Sequence, residues 1–352
     1  MSIKQEAFGM TKDNQEVTIY KIMNNKGMEA HVINEGAALM SLIVPDKNNI
    51  KEDVVLGFED LKSYEINGPS FGATIGRNAN RIKDAKVVIE GVTYELDKND
   101  GNNNLHGGKE GYGRVYYTAS VKEEAGQDTV TFHRVSPNME QGFPGTFTYQ
   151  VSYTVTDDNE LIIRYEGISD QTTIVNMTNH SYFNLKGHKS GSAMDHKLRI
   201  HASKITESDE ESICDGSYLE VAGTPMDFRE YKVIGKDIEA DYKPLKDASG
   251  YDHNYVLENG GDLTVKVADL VDETSGRHME VYTDAKGMQL YTANFLVPEE
   301  GCTFKEHASY PVRGAVCLET QAFPNACNIP SFPSTILQAD EKYQTTTIYK
   351  FV

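Results

Sequence analysis

The chain has 352 residues, of which 39% are hydrophobic, enough for a large buried core. Its formal net charge is −19. That balance offers no basic surface for nucleic acid and disfavours anionic membranes, so a neutral small molecule suits it better than a polyanion.

The predicted elements are mostly strands. Residues 17–22, 30–33 and 39–44 are apolar, β-rich runs. A short helix signal covers residues 58–64. Residues 87–96 form a hairpin pattern with Glu90-Gly91 at its turn. The clearest period of two comes next. Phe147, Tyr149, Val151, Tyr153 and Val155 alternate with Thr148, Gln150, Ser152 and Thr154. Asp157-Asp158-Asn159-Glu160 breaks the run, and Leu161, Ile163 and Tyr165 resume it, as in a hairpin with one buried face. Residues 198–200, 278–282, 289–295 and 345–351 are further strands, and residues 233–240 a second short helix. Many short strands without long helices indicate an all-β fold, a large antiparallel β-sandwich. Length alone suggests two domains, but sandwiches often run long. With no linker, low-complexity tract or repeat, the expectation is a single domain over residues 1–352.

The first residues, Met1-Ser2-Ile3-Lys4-Gln5-Glu6, lack the apolar core of a signal peptide, and no apolar stretch reaches membrane-spanning length. Cys214, Cys302, Cys317 and Cys327 form no CxxC pair and show no zinc spacing, so reduced thiols in a cytoplasmic protein are expected. His188, His196 and His201 match neither HExxH nor a zinc finger and read as surface or strand residues. No phosphate-binding glycine loop is present. No metal and no cofactor are expected.

Four segments carry candidate chemistry. Asn179-His180-Ser181-Tyr182-Phe183-Asn184-Leu185 and Leu318-Glu319-Thr320-Gln321-Ala322-Phe323-Pro324-Asn325 each set one titratable side chain among polar and aromatic neighbours. A histidine exchanges protons near neutral pH, and a desolvated glutamate has its pKa raised towards that range. Together they suit cofactor-free acid/base work. The bland alternatives are a structural histidine and a solvent-facing strand carboxylate. Gln321, Phe323 and Asn325 favour a pocket wall instead. Gly76-Arg77-Asn78-Ala79-Asn80-Arg81-Ile82 and Asn102-Asn103-Asn104-Leu105-His106-Gly107-Gly108 are rich in groups that bind hydroxyls. The glycines beside His106 would permit close backbone approach to a ligand.

In chain order these segments strongly resemble the aldose 1-epimerase (galactose mutarotase) family. The resemblance extends to Gly223-Thr224-Pro225-Met226-Asp227-Phe228-Arg229, Tyr251-Asp252-His253-Asn254-Tyr255 and Met288-Gln289-Leu290-Tyr291, and runs from about Gly36 to the end. Asn78 and Met226 depart from the family pattern at positions without chemistry. The resemblance implies a mutarotase-type sandwich whose concave face holds a free hexose such as galactose or glucose. It makes His180 the general acid on the ring oxygen and Glu319 the general base on the anomeric hydroxyl. His106 becomes a second active-site histidine near the ring oxygen, and Asn80, Arg81, Asp252 and Gln289 become hydroxyl ligands. Arg77 stays between surface and site, and Asp227 is a structural rival to Asp252. A monomer or homodimer is expected. Three rivals remain: a hexose-phosphate epimerase using Arg77 and Arg81, a glycoside hydrolase using Asp252 and Glu319, and a non-catalytic carbohydrate binder. The last is weakened by the absence of Trp.

Overall fold

Alternating apolar side chains assemble here into layered antiparallel sheets. The computed structural model describes residues 2–297 and 299–352. The largest sheet has nine strands, in the order Thr118–Glu124, Gln127–Ser136, Phe147–Thr156, Glu160–Ser169, Lys342–Phe351, His278–Thr283, Lys266–Val271, Lys197–Ile200 and Lys232–Val233. A five-stranded sheet runs Ser2–Met10, Glu16–Met23, Glu29–Ile33, Ala38–Pro45, Lys51–Asp53. A second runs Cys214–Glu220, Lys204–Ser208, Asp252–Val256, Gly287–Tyr291, Cys317–Gln321. One core cluster joins all three, with Val32, Val151, Leu290 and Leu318 among its members.

The predicted hairpin is present in register, with Val151 opposite Tyr165 and Tyr153 opposite Ile163. The odd-numbered residues from Phe147 to Val155 are buried, as the period of two requires.

Several boundaries differ. The strand expected to reach Phe295 ends at Tyr291. There the Thr292 hydroxyl donates to the Tyr251 carbonyl, and the Asn294 amide donates to the carbonyls of Ala248 and Tyr251. Such side-chain bonds compete with the strand ladder and turn the chain. The first helix is Leu61–Ile66 rather than residues 58–64, because Asp60 accepts from the Ser63 amide as its N-cap. Residues 233–240 hold only one 3-10 turn, Ile234–Lys236, and the helix comes later, at Lys243–Asp247, with a proline in its first turn. His188 and His196 are buried rather than superficial. His188 Nδ1 lies 2.8 Å from the Tyr310 hydroxyl, and His196 Nε2 accepts from the Leu185 amide at 2.9 Å. The four cysteines are unpaired, with Cys214 and Cys317 buried.

Two short pairings bring the remaining motifs to the edge of the second five-stranded sheet. Thr178–Asn179 pairs with Thr74–Ile75, and Arg81–Ile82 with Asn104–Leu105.

Candidate active site

Register decides which side chains share the cleft. Asn254, Gln289 and Glu319 are cross-strand partners, as are Asp252, Tyr291 and Cys317. Opposite residues and their i±2 neighbours point to one face. The intervening Tyr255, Met288, Leu290 and Leu318 enter the core. A cavity of about 680 Å³ opens over the polar face. Its lining includes Asn80, Arg81, His106, His180, Asp252, Gln289 and Glu319.

The backbone of His180 is tied to the neighbouring segment at both ends. Its amide donates to Ala73 O at 3.0 Å, and its carbonyl accepts from the Gly72 amide at 2.9 Å. Its ring stacks on Tyr182, with centroids 4.9 Å apart and planes 14° from parallel. Nε2 then lies 3.7 Å from Glu319 Oε1. His180 Nδ1 and Glu319 Oε2 are buried without a hydrogen-bond partner. Burial pushes Glu319 well above the usual carboxylate range; the charge of Asp252 adds to this and that of Arg81 opposes it. Burial also pushes His180 down to about 4. The His180 ring, expected to act as the general acid, is therefore neutral in the free site near neutral pH.

His106 meets His180 edge-on, with centroids 5.4 Å apart. His106 and Asn80 bond reciprocally: the His106 amide donates to Asn80 O at 3.2 Å, and the Asn80 amide donates to His106 Nδ1 at 3.2 Å. Both residues adopt left-handed backbone to do so. With Nδ1 accepting, the neutral ring carries its proton on Nε2 and acts as a donor. Burial keeps this ring uncharged as well. His106, His180 and Glu319 bring ligand-type atoms within 4.8 Å of one another. A metal would need the lone pair that the Asn80 bond leaves protonated on His106, so the donor set suits a hydroxylated ligand better.

Arg81 Nε donates to Asp100 Oδ2 at 2.7 Å, and Gln289 Nε2 to Asp252 Oδ1 at 2.7 Å. Asn80 lines the cavity, yet its side-chain oxygen already accepts from the Arg81 amide at 2.8 Å.

Other expectations fall away from the cleft. Arg77 is buried and donates to the carbonyls of Pro144 and Gly145 and to the Ser136 hydroxyl, so it braces loops. Asp227 is bound by Arg229 at 2.9 and 2.8 Å, which holds its pKa at about 2. Phe323 packs with Cys214 and Phe332 in a separate small apolar cluster, and the Asn325 side chain bonds Lys83 N and Cys214 O. Gly107 serves the backbone rather than a ligand: at φ 86°, a Cβ there would come 2.1 Å from Gly76 O. The sequence reading also missed the rim formed by Phe295, Val297, Glu299 and Glu300. Of the apolar pair Phe295 and Val297, 62% exposed each, Phe295 was absorbed into the strand expected over residues 289–295 and Val297 lies beyond its end.

A family profile described as aldose 1-epimerase matches residues 18–350. The chain belongs to the aldose 1-epimerase family. It is 39% identical to galactose mutarotase of Bos taurus over 92% of this chain and 91% of that one. It is 34% identical to aldose 1-epimerase of Escherichia coli K12 over 99% of each chain. Among solved structures, galactose 1-epimerase from Lactobacillus acidophilus superposes with a TM-score of 0.86 at 26% identity, covering 100% of this chain and 99% of that one. The protein is thus an isomerase of the aldose 1-epimerase family, on that family's β-sandwich. Within this family member's cleft, Arg81 is the sole permanent cation among the described lining residues, and Asp100 already pairs with it.

Proposed function

We propose that this enzyme interconverts the α- and β-anomers of free hexoses such as galactose and glucose. The observation that carries the reading is the buried His180–Glu319 pair, 3.7 Å apart, with one unpaired polar atom on each side chain. Glu319 takes the proton of the C1 hydroxyl while His180 gives a proton to the ring oxygen O5. The C1–O5 bond breaks and the open-chain aldehyde forms. Rotation about C1–C2 presents the other carbonyl face, and the two proton transfers run in reverse to close the ring.

The pair must therefore hold one transferable proton. Burial resists charge on both groups, but opposite charges this close offset much of that cost, so the proton can reside on either partner. His106 donates from Nε2 towards the ring oxygen. Asp252, Gln289, Arg81 and Asn80 hold the hydroxyls. Mutarotation already proceeds in water, so proton transfer from two sides, at ~10²–10⁴-fold per group, supplies the modest acceleration required.

The lone, paired Arg81 disfavours a phosphate clamp. Four unpaired cysteines support a cytoplasmic setting. No described helix is long and apolar enough to cross a membrane. We read residues 1–352 as one working unit, since its core cluster draws on all three large sheets. Polarimetry of freshly dissolved α-galactose tests the assignment. The rate should rise in proportion to enzyme and survive dialysis against a chelator; a rate equal to that of buffer alone sinks it.

A further inference from the structure

The cleft is electrostatically lopsided. Asp252, Glu299 and Glu300 line it beside Glu319, which burial inclines to keep its proton, against one permanent cation, Arg81. Asp100 holds that guanidinium at 2.7 Å, which spends its charge outside the sugar site. His106 and His180 add no charge in the free site, because burial keeps both rings neutral. Asp252 is half-buried, and its carboxylate accepts from a neutral amide, Gln289 Nε2. A neutral hexose leaves this negative field unused. A cation would be drawn in by it and would meet Asp252, whose partner can be displaced without stranding a charge.

Resting on the anomer-exchange reading above, we propose that free 2-amino-2-deoxyhexoses, carrying an ammonium group, are substrates of the same site, with Asp252 as the residue that selects them. Gln289 is the cross-strand partner of Glu319, and it donates to Asp252 Oδ1 at 2.7 Å. A sugar whose C1 hydroxyl meets Glu319 therefore extends over Gln289 and brings its C2 substituent towards Asp252. The chemistry is unchanged and balances as before: the C1 hydroxyl proton goes to Glu319, a proton from His180 goes to O5, and C1–O5 opens and recloses. The ammonium takes no part in bond making. The same field repels hexose 6-phosphates and uronates.

The test compares galactose, 2-amino-2-deoxygalactose and galactose 6-phosphate by polarimetry at mildly acidic pH, with spontaneous rates subtracted. The expected kcat/KM for the amino sugar equals or exceeds that for galactose. It should fall several-fold between about 20 and about 300 mM salt, while the galactose value stays flat, since only the charged ligand feels screening. Asp252→Asn should lower the amino-to-neutral ratio of kcat/KM by roughly tenfold, the loss of about 1.4 kcal/mol of selective attraction. Galactose turnover without amino-sugar turnover overturns the inference alone. So does a ratio indifferent to both salt and Asp252→Asn, or a phosphate sugar turned over faster than galactose. Failure on galactose itself overturns the underlying function instead.

Discussion

The buried pairs Lys305–Asp53 and His180–Glu319 are built in opposite ways. Lys305 Nζ lies 2.7 Å from Asp53 Oδ2 and also donates to Met40 O at 2.8 Å and Val55 O at 2.9 Å. The other oxygen of Asp53 accepts from the amides of Leu42 and Val55. These bonds hold the Asp53 pKa below the usual carboxylate range despite its burial. The His180–Glu319 pair is more distant, at 3.7 Å, and leaves one polar atom unmet on each member. A pair that holds loops together is satisfied by the protein. A pair that works on a ligand keeps its bonding capacity open, and the protein bears the cost of desolvation.

The largest expected effect breaks the two pairs by the same chemical change. Glu319→Gln keeps shape and removes the base, so kcat should drop by ~10²–10⁴-fold with KM little altered. His180→Asn should do likewise. The double variant should lose far less than the product of the two, because the groups act as a unit. Steady-state polarimetry on one galactose anomer reads this, with circular dichroism showing a folded protein. If Glu319→Gln keeps near-parental kcat, the base lies elsewhere and the comparison is void.

The structural pair should behave inversely. Lys305→Met leaves the Asp53 carboxylate buried without its cation, a loss of about 3–5 kcal/mol of stability. Urea midpoints should shift strongly, while the folded fraction keeps the parental KM. Converting both members to apolar residues should recover much of the loss. A folded, stable, inactive Lys305→Met would mean that this pair belongs to the catalytic machinery.

The contrast was only partly legible in the sequence. The hairpin from Phe147 to Tyr165 announces itself, because strict alternation of apolar and polar residues has one structural solution. His180, Glu319 and the five other candidates stand in motifs whose order resembles one family, and the fold brings all seven to one cleft. What stayed hidden depends on tertiary partners. Arg77 and Arg81 look alike four residues apart, yet one braces carbonyls in the interior and the other meets Asp100 beside the cleft. Lys305 carries no local sign that its ammonium is buried. His188 and His196 look superficial because their partners, the Tyr310 hydroxyl and the Leu185 amide, lie outside any local motif. The turn after Tyr291 is made by bonds to residues some forty positions away, which no local periodicity displays.

A smaller effect sharpens the idea that open bonding capacity marks the working site. Gln321 is buried beside Gln289, and its Nε2 donates to Gln289 Oε1 at 3.4 Å. Gln289 in turn donates to Asp252. Gln321 is therefore a positioning residue acting through Gln289. Gln321→Ala should raise KM several-fold, for roughly 1–1.5 kcal/mol, with kcat nearly kept, as for one lost hydrogen bond. Gln321→Glu, which accepts but no longer donates to Gln289 Oε1, should not rescue. An equal fall in kcat would place Gln321 in the chemical step instead.

The smallest effect is on stability, and its sign separates the pairs most sharply. Glu319 holds its proton to higher pH in the folded chain than in the unfolded one. Between those two values the native state binds more protons, so this group's contribution is present at low pH and lost as pH rises through the folded pKa. Glu319→Gln cannot ionise. It should match the parent in mild acid and exceed it in alkaline buffer, by about 2–4 °C in Tm for each 1 kcal/mol gained. Asp53 has the opposite shift, so its contribution is present above the ordinary carboxylate pKa and lost as pH falls below it. Asp53→Asn should therefore be least stable relative to the parent at neutral pH and converge on it in acid. Thermal melts of both variants across one pH series check the two signs together. Parallel curves for the two variants would show that Glu319 is as well satisfied as Asp53, and that the open bonding capacity at the cleft is not a property of the folded protein in solution.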